Sequence, residues 1–213
     1  MTRIAALMRT SPVIPVLVID DATTALPIAR ALVAGGLKVL EVTLRTKAAL
    51  DVIREMKRVD DSVVGAGTVL NEADLHAALD AGAEFVVSPG LTETLGRAAI
   101  KSGIPFLPGI ANAGDIMRGL DMGLSHFKFF PAEAAGGIAA LRAIAAPFGM
   151  AKFCPTGGIT LATAADWLAL ESVLCVGGSW IVGKGAPDYA AITAAARACT
   201  ALRRQAQVPR AEP

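Results

Sequence analysis

Charge is scarce in this 213-residue sequence: only 18% of residues are Asp, Glu, Lys or Arg, against roughly 25% in an average soluble domain. Disorder goes with high charge and low hydrophobicity, and 54% of the residues here are apolar, so a disordered chain is excluded. Neither sign of charge dominates. Twenty basic residues face 19 acidic ones, for a net charge of +1, which leaves no concentrated basic surface for nucleic acid or an anionic membrane. Long apolar runs are missing too. The best, residues 13–19, contains Pro15 and stops at Asp20-Asp21, well short of the roughly 18 residues of a membrane span. No signal peptide is expected, because Arg9 falls where its apolar segment would lie. Cysteine occurs three times, an odd count with no CxxC spacing, so no disulfide framework is expected and a reducing cytoplasm is the expected setting. The two histidines, His76 and His126, lie too far apart in the chain for a His-rich zinc site.

What is present is one repeating rhythm. Short β-branched or apolar runs at 13–19, 39–43, 63–66, 85–88, 105–108, 127–130, 152–154 and 173–176 alternate with alanine-rich segments of helical period. The helical candidates are 22–34, 47–59, 72–80, 93–102, 113–122, 138–146, 161–168 and 189–204. Strand–helix units of this kind either close into a (β/α)8 barrel or open into a doubly wound sheet. The open sheet lacks its fingerprint, since Gly65-Ala66-Gly67 is followed by Leu70 where GxGxxG needs glycine. The expectation is therefore an α/β chain forming a single (β/α)8 TIM barrel over about 11–204, within one domain of 1–213. An additional N-terminal helix around 4–9 covers its bottom, and 205–213 forms a loose tail.

Chemistry in such a barrel sits at the C-terminal strand ends. In Val39-Leu40-Glu41-Val42-Thr43-Leu44-Arg45 the period of two puts Glu41, Thr43 and Arg45 on one face, so Glu41 points into the barrel. It serves there either in proton transfer or in a structural ion pair with Arg45. Lys128 lies between Phe127 and Phe129, which face the other way. A lysine in dry apolar surroundings loses the hydration that favours its ammonium, which makes the neutral amine available as a nucleophile. An ammonium paired with Glu41 or with an anionic ligand is the alternative. The strings Pro155-Thr156-Gly157-Gly158 and Gly177-Gly178-Ser179 fit a phosphate cradle built from backbone N–H groups, with plain tight turns as the alternative. Gly67-Thr68, Ser88-Pro89-Gly90 and Pro108-Gly109 each either place a backbone group or small hydroxyl at the mouth or simply make a turn, the turn being favoured for Thr68. Cys154 and Cys175 read as small buried hydrophobes, and His126, at the wrong end of its strand, as structural.

Five strings then resemble one family in register: Glu41-Val42-Thr43-Leu44-Arg45, Gly65-Ala66-Gly67-Thr68-Val69, Ser88-Pro89-Gly90, Phe127-Lys128-Phe129-Phe130-Pro131-Ala132-Glu133 and Phe153-Cys154-Pro155-Thr156-Gly157-Gly158-Ile159. The sequence resembles 2-keto-3-deoxy-6-phosphogluconate (KDPG) aldolases from about Ser11 to Tyr189. The resemblance implies a (β/α)8 barrel, a homotrimer, and a class I aldolase that needs no metal and no cofactor. It implies cleavage of KDPG, a phosphorylated keto acid, to pyruvate and glyceraldehyde 3-phosphate. It also implies cleavage of 4-hydroxy-2-oxoglutarate to pyruvate and glyoxylate.

Carried over residue by residue, Lys128 matches the Schiff-base lysine and Glu41 the general acid/base. Arg45 and Thr68 match residues around the pyruvyl carboxylate, and Pro89 lies in the pyruvate-side loop. Phe130 lines the cavity, while Thr156, Gly157, Gly158, Gly178 and Ser179 match the phosphate end. The family often has a Pro-Ala-Asn start to its seventh helix where this chain has Leu161-Ala162-Thr163, a departure outside the site. An aldolase for the C4-epimeric galactonate substrate shares the lysine and the glutamate, but Pro155-Thr156-Gly157-Gly158 looks like the gluconate branch. A phosphate-binding isomerase or epimerase on the same barrel, and a non-catalytic barrel that binds a phosphorylated metabolite, are the remaining readings.

Overall fold

The computed structural model describes residues 2–183 and 185–206. The strands are β1 (Val13–Leu17), β2 (Val39–Thr43), β3 (Val63–Gly67), β4 (Val86–Val87), β5 (Phe106–Leu107), β6 (Gly109–Ile110), β7 (His126–Phe129), β8 (Lys152–Pro155) and β9 (Val176–Gly178). All their pairings are parallel, with the orders β5-β4-β3-β2-β1-β9 and β6-β7-β8. Single parallel bridges at Phe153–Val173 and Thr156–Gly177 join β8 to the β9 region. The result is a curled parallel sheet. Because it is covered on its outer face by helices, its strands read as near-continuous apolar runs.

Helix starts follow from side-chain caps. Thr2, Asn71, Thr92, Asn112 and Thr160 each accept a hydrogen bond from the backbone N–H three residues on. They precede α1 (Arg3–Thr10), α4 (Glu72–Asp80), α5 (Glu93–Ser102), α6 (Ala113–Asp121) and α8 (Leu161–Leu168). The others are α2 (Ala25–Ala34), α3 (Ala49–Met56), α7 (Gly137–Ala145) and α9 (Tyr189–Ala206). Helix α9 runs slightly past its expected end, and 207–213 of the expected tail lie outside the described residues.

Two strands differ from the sequence reading. The fifth run is split at Pro108, which has no N–H to give a ladder. β5 pairs with β4 and β6 with β7, and the Pro108 carbonyl accepts from Lys128 N at 2.8 Å. The last strand begins at Val176 rather than Val173, because Val173 N closes a turn onto the Leu170 carbonyl at 2.9 Å. Gly177 and Gly178 then pair with Ile14 and Pro15 of β1, so the glycines expected in a loop are strand residues.

Inside the curl, Met8 of α1 packs with Ile14, Val39, Phe85, Val87, Leu107, Cys154, Leu174 and Cys175. This inner cluster fills the N-terminal half of the sheet, and the same face of β2 that buries Val39 carries Glu41 and Thr43 further along. The outer face of the sheet packs on the helices in a larger cluster that includes Phe127, Phe129, Phe153 and Trp167. The first and last units are stitched together: Thr193 and Thr200 of α9 donate to the Ala31 and Gly35 carbonyls at 3.1 Å each.

His126 opens β7 at the sheet's N-terminal end, with its Nδ1 3.1 Å from Ser125 Oγ. Burial, reinforced by the positive charges of Arg9 and Lys152, holds its imidazole below the usual range. An unfolded chain protonates this histidine near pH 6.5, whereas the folded chain resists until lower pH. The unfolded state therefore binds more protons, and stability falls as pH drops below about 6.5. His126→Asn should flatten that decline, as read from urea midpoints between pH 5 and 8; an unchanged slope would show that His126 does not contribute to it.

Candidate active site

At the C-terminal ends of the strands a cavity of about 460 Å³ opens. Thr43 and Arg45 line it from β2 and its end, Thr68 from the turn after β3, and Pro89 from the turn after β4. Lys128 and Phe130 come from β7 and its end, Thr156, Gly157 and Gly158 from the end of β8, and Gly177 and Ser179 from β9 and its end. The sequence-predicted residues thus converge with two exceptions. Glu41 lies beneath the cavity floor, 3% exposed. Gly178 turns the other way, with its Cα facing the Trp180 ring.

Lys128 is 6% exposed. Its ammonium is 3.3 Å from Glu41 Oε1 and 5.3 Å from the centre of the Phe130 ring. Parity explains the meeting: Glu41 and Lys128 occupy inward positions of β2 and β7, and the curl brings these strands face to face. Among the described residues no ion pair links Glu41 to Arg45. Arg45 instead stands between this cavity and a wider opening of about 870 Å³ bordered by Asp20 and Asp21.

Glycines make room for these groups. A Cβ at Gly67 would run into the Glu41 carboxylate, with Glu41 Cγ at 2.7 Å. One at Gly177 would strike the Thr156 hydroxyl, and one at Gly109 the Pro89 carbonyl. Thr43 and Gly67 are not among the predicted site residues, whereas Gly177 belongs to a string read as a phosphate cradle. Parity with Glu41 singles out Thr43 in the sequence, but nothing local distinguishes Gly67 from a turn glycine. Thr43 Oγ1 donates to the Leu17 carbonyl at 2.9 Å, pinning the mouth of β2 to β1.

The three thiols are buried, and Cys154 Sγ lies 3.9 Å from the Thr156 hydroxyl at the cavity. Cys154 and Cys175 are in the inner cluster, and burial pushes the Cys199 thiol up to about 11, so it is not a thiolate at neutral pH.

A family model described as Aldolase: KDPG and KHG aldolase matches residues 4–195. The chain is 57% identical over 206 residues to a 2-dehydro-3-deoxy-phosphogluconate aldolase of Zymomonas mobilis, covering 97% of this chain and 99% of the relative. A crystal structure of the 2-keto-3-deoxy-6-phosphogluconate aldolase of Zymomonas mobilis ZM4 with 3-phosphoglycerate superposes with a TM-score of 0.94, at 57% identity over 96% of this chain and 98% of that one. The KDPG aldolase from Legionella pneumophila, with pyruvate captured at low pH as a covalent carbinolamine intermediate, gives a TM-score of 0.90 at 47% identity, over 93% and 98% of the two chains.

Thr68 has φ 60°, the left-handed region, which a β-branched side chain rarely adopts and which costs about 1–3 kcal/mol. Thr68→Gly should relieve that strain, and after glycine's greater unfolded-state entropy is subtracted it should raise the stability by about 1 kcal/mol over Thr68→Ala. Equal urea midpoints for the two variants would show that the backbone there is unstrained.

Proposed function

The chain belongs to the KDPG and KHG aldolase family, and we propose on that footing that it is a class I aldolase with Lys128 as its Schiff-base residue. Its substrate is the phosphorylated keto acid KDPG, cleaved to pyruvate and glyceraldehyde 3-phosphate, and 4-hydroxy-2-oxoglutarate is cleaved in the same site to pyruvate and glyoxylate. The observation that carries this reading is the buried Lys128–Glu41 pair at the floor of a cavity with glycine loops on one side. A buried amine beside a carboxylate is what covalent attack on a ketone needs, and a partner 3.3 Å away is placed to take the ammonium's proton first.

In the reaction, Lys128 Nζ attacks the C2 ketone to give a carbinolamine, and loss of water leaves an iminium ion. Glu41 carries protons through these steps. It then removes the proton of the C4 hydroxyl, the C3–C4 bond breaks, and its electrons pass to the iminium nitrogen. The aldehyde departs and leaves an enamine. Protonation of the enamine at its terminal carbon, followed by hydrolysis, yields pyruvate and restores the amine.

Arg45 holds the C1 carboxylate with charge-assisted contacts, Thr68 and Pro89 border the same end, and Phe130 packs against the carbon chain. The phosphate sits at Thr156, Gly157, Gly158 and Ser179; Gly178, expected in the same set, has its backbone paired with β1 and takes no part in holding it. Support for this end comes from helix α8, whose N-terminus begins just after Gly158 and so favours an anion there. Binding energy from the remote phosphate can position the bond to be broken.

The same reading takes the curled sheet as a closed (β/α)8 barrel in one domain with α1 beneath it, supported by the bridges from β8 to the β9 region and the pairing of β9 with β1. It takes the working form as a cytoplasmic homotrimer, supported by the family resemblance.

Borohydride reduction in the presence of pyruvate should leave one stable adduct, mapped by mass spectrometry to Lys128; no adduct, or one on another lysine, rejects the assignment. Glu41→Gln should slow cleavage of KDPG by roughly 10²–10⁴-fold, the scale of acid–base catalysis. Undiminished turnover in a coupled assay would remove Glu41 from the mechanism.

A further inference from the structure

Behind the glycine loop lies a contact that the mechanism above does not use. Trp167 of α8 is completely buried, so its indole N–H needs an acceptor inside the protein. That acceptor is Glu133, whose Oε1 lies 2.9 Å from Trp167 Nε1. Glu133 is otherwise exposed, which makes an inward-reaching carboxylate conspicuous. The same residue touches the loop twice. Its backbone N–H donates to the Gly157 carbonyl at 3.0 Å, following Ala132 N to the Thr156 carbonyl at 2.8 Å. Its Cβ and Cγ press on Gly158 so closely that a Cβ there would stand 2.7 Å from each. Gly157 and Gly158 have φ of 105° and 81°, a backbone with few restraints of its own.

We propose that Glu133 is a positioning residue that braces the Gly157–Gly158 loop from behind, tying it through Trp167 to helix α8 so that its cavity side keeps the geometry that receives a phosphate. The proposal rests on the aldolase reading for its substrate. The loop is held at three places: by the β8 pairing before it, by the Glu133 backbone and stem at its centre, and by the indole contact to the helix that follows. Lys128 sits on β7, the strand that leads into Glu133, and Glu41 on β2; among the described residues no hydrogen bond or ion pair joins either side chain to Glu133. Loss of the brace should therefore be felt at the phosphate and not at the reacting carbons.

The test compares substrates with and without a phosphate. In Glu133→Ala the KM for KDPG should rise about tenfold, the scale of one hydrogen bond to a charged group. The Kd for 3-phosphoglycerate, measured by calorimetry, should rise alongside it. KM and kcat for 4-hydroxy-2-oxoglutarate, and the rate of the pyruvate–borohydride adduct, should stay at their original values. Glu133→Gln, which keeps an acceptor oxygen, should restore KDPG binding. Trp167→Phe, which removes the donor but keeps an aromatic ring, should reproduce the defect, and the double variant should be no worse than either single one.

Equal losses on both keto acids would mark a general structural role and overturn the proposal. So would unchanged KDPG and 3-phosphoglycerate binding, or losses that simply add in the double variant. Failure of the unaltered chain to cleave either keto acid would sink the aldolase reading instead. The 3-phosphoglycerate titration would still decide for or against Glu133.

Discussion

Two opposite charges shut away from water must sustain each other, and the site is built around that requirement. Lys128 and Glu41 have side chains only 7% and 4% exposed. Each would cost several kcal/mol to bury alone, and removing one partner of such a pair costs about 3–5 kcal/mol. A hydrophobic pair of the same size would hold the sheet together at least as well, so stability does not explain why these residues are there. What the pair supplies is an amine and a carboxylate held 3.3 Å apart across the curl. The ion pair that the residues alone allow between Lys128 and Glu41 is thus formed in the structure.

That arrangement needs space inside a narrow sheet, and glycine provides it. Three inward or near-inward glycines, Gly67, Gly109 and Gly177, each lie against a group at or beneath the cavity: the Glu41 carboxylate, the Pro89 carbonyl and the Thr156 hydroxyl. The inner layer below them is filled by larger side chains such as Phe85 and Leu107. The change from large to absent side chains along the same strand faces is what turns a packed interior into a cavity.

Much of this was legible in the chain itself. Alternation along Val39-Leu40-Glu41-Val42-Thr43 and Phe127-Lys128-Phe129 places Glu41 and Lys128 inward, because a strand side chain can point only two ways. Alanine-rich segments of helical period between the apolar runs locate the helices, since period is a local effect. Other features are not legible. The last strand begins later than its apolar run, because Val173-Leu174-Cys175-Val176 looks more strand-like than Gly177-Gly178, and only pairing with β1 settles its register. The orientation of Gly178 followed from that shift. The roles of Gly67 and of the Glu133–Trp167 contact were invisible because both depend on residues brought together from distant parts of the chain, and no local pattern encodes them.

The stitching of the last helix to the first unit has a temporal side. Strand β9 completes its ladder on β1, and α9 lays its threonines on the end of α2, contacts that span more than 160 positions of sequence. During synthesis from the N-terminus, β1 waits with one edge unpaired until nearly the whole chain has left the ribosome. Such late, long-range closure slows folding and prolongs exposure of an open strand. In the cell, β9 and the helix that follows it are thus the segments whose arrival ends the open-edged interval of β1.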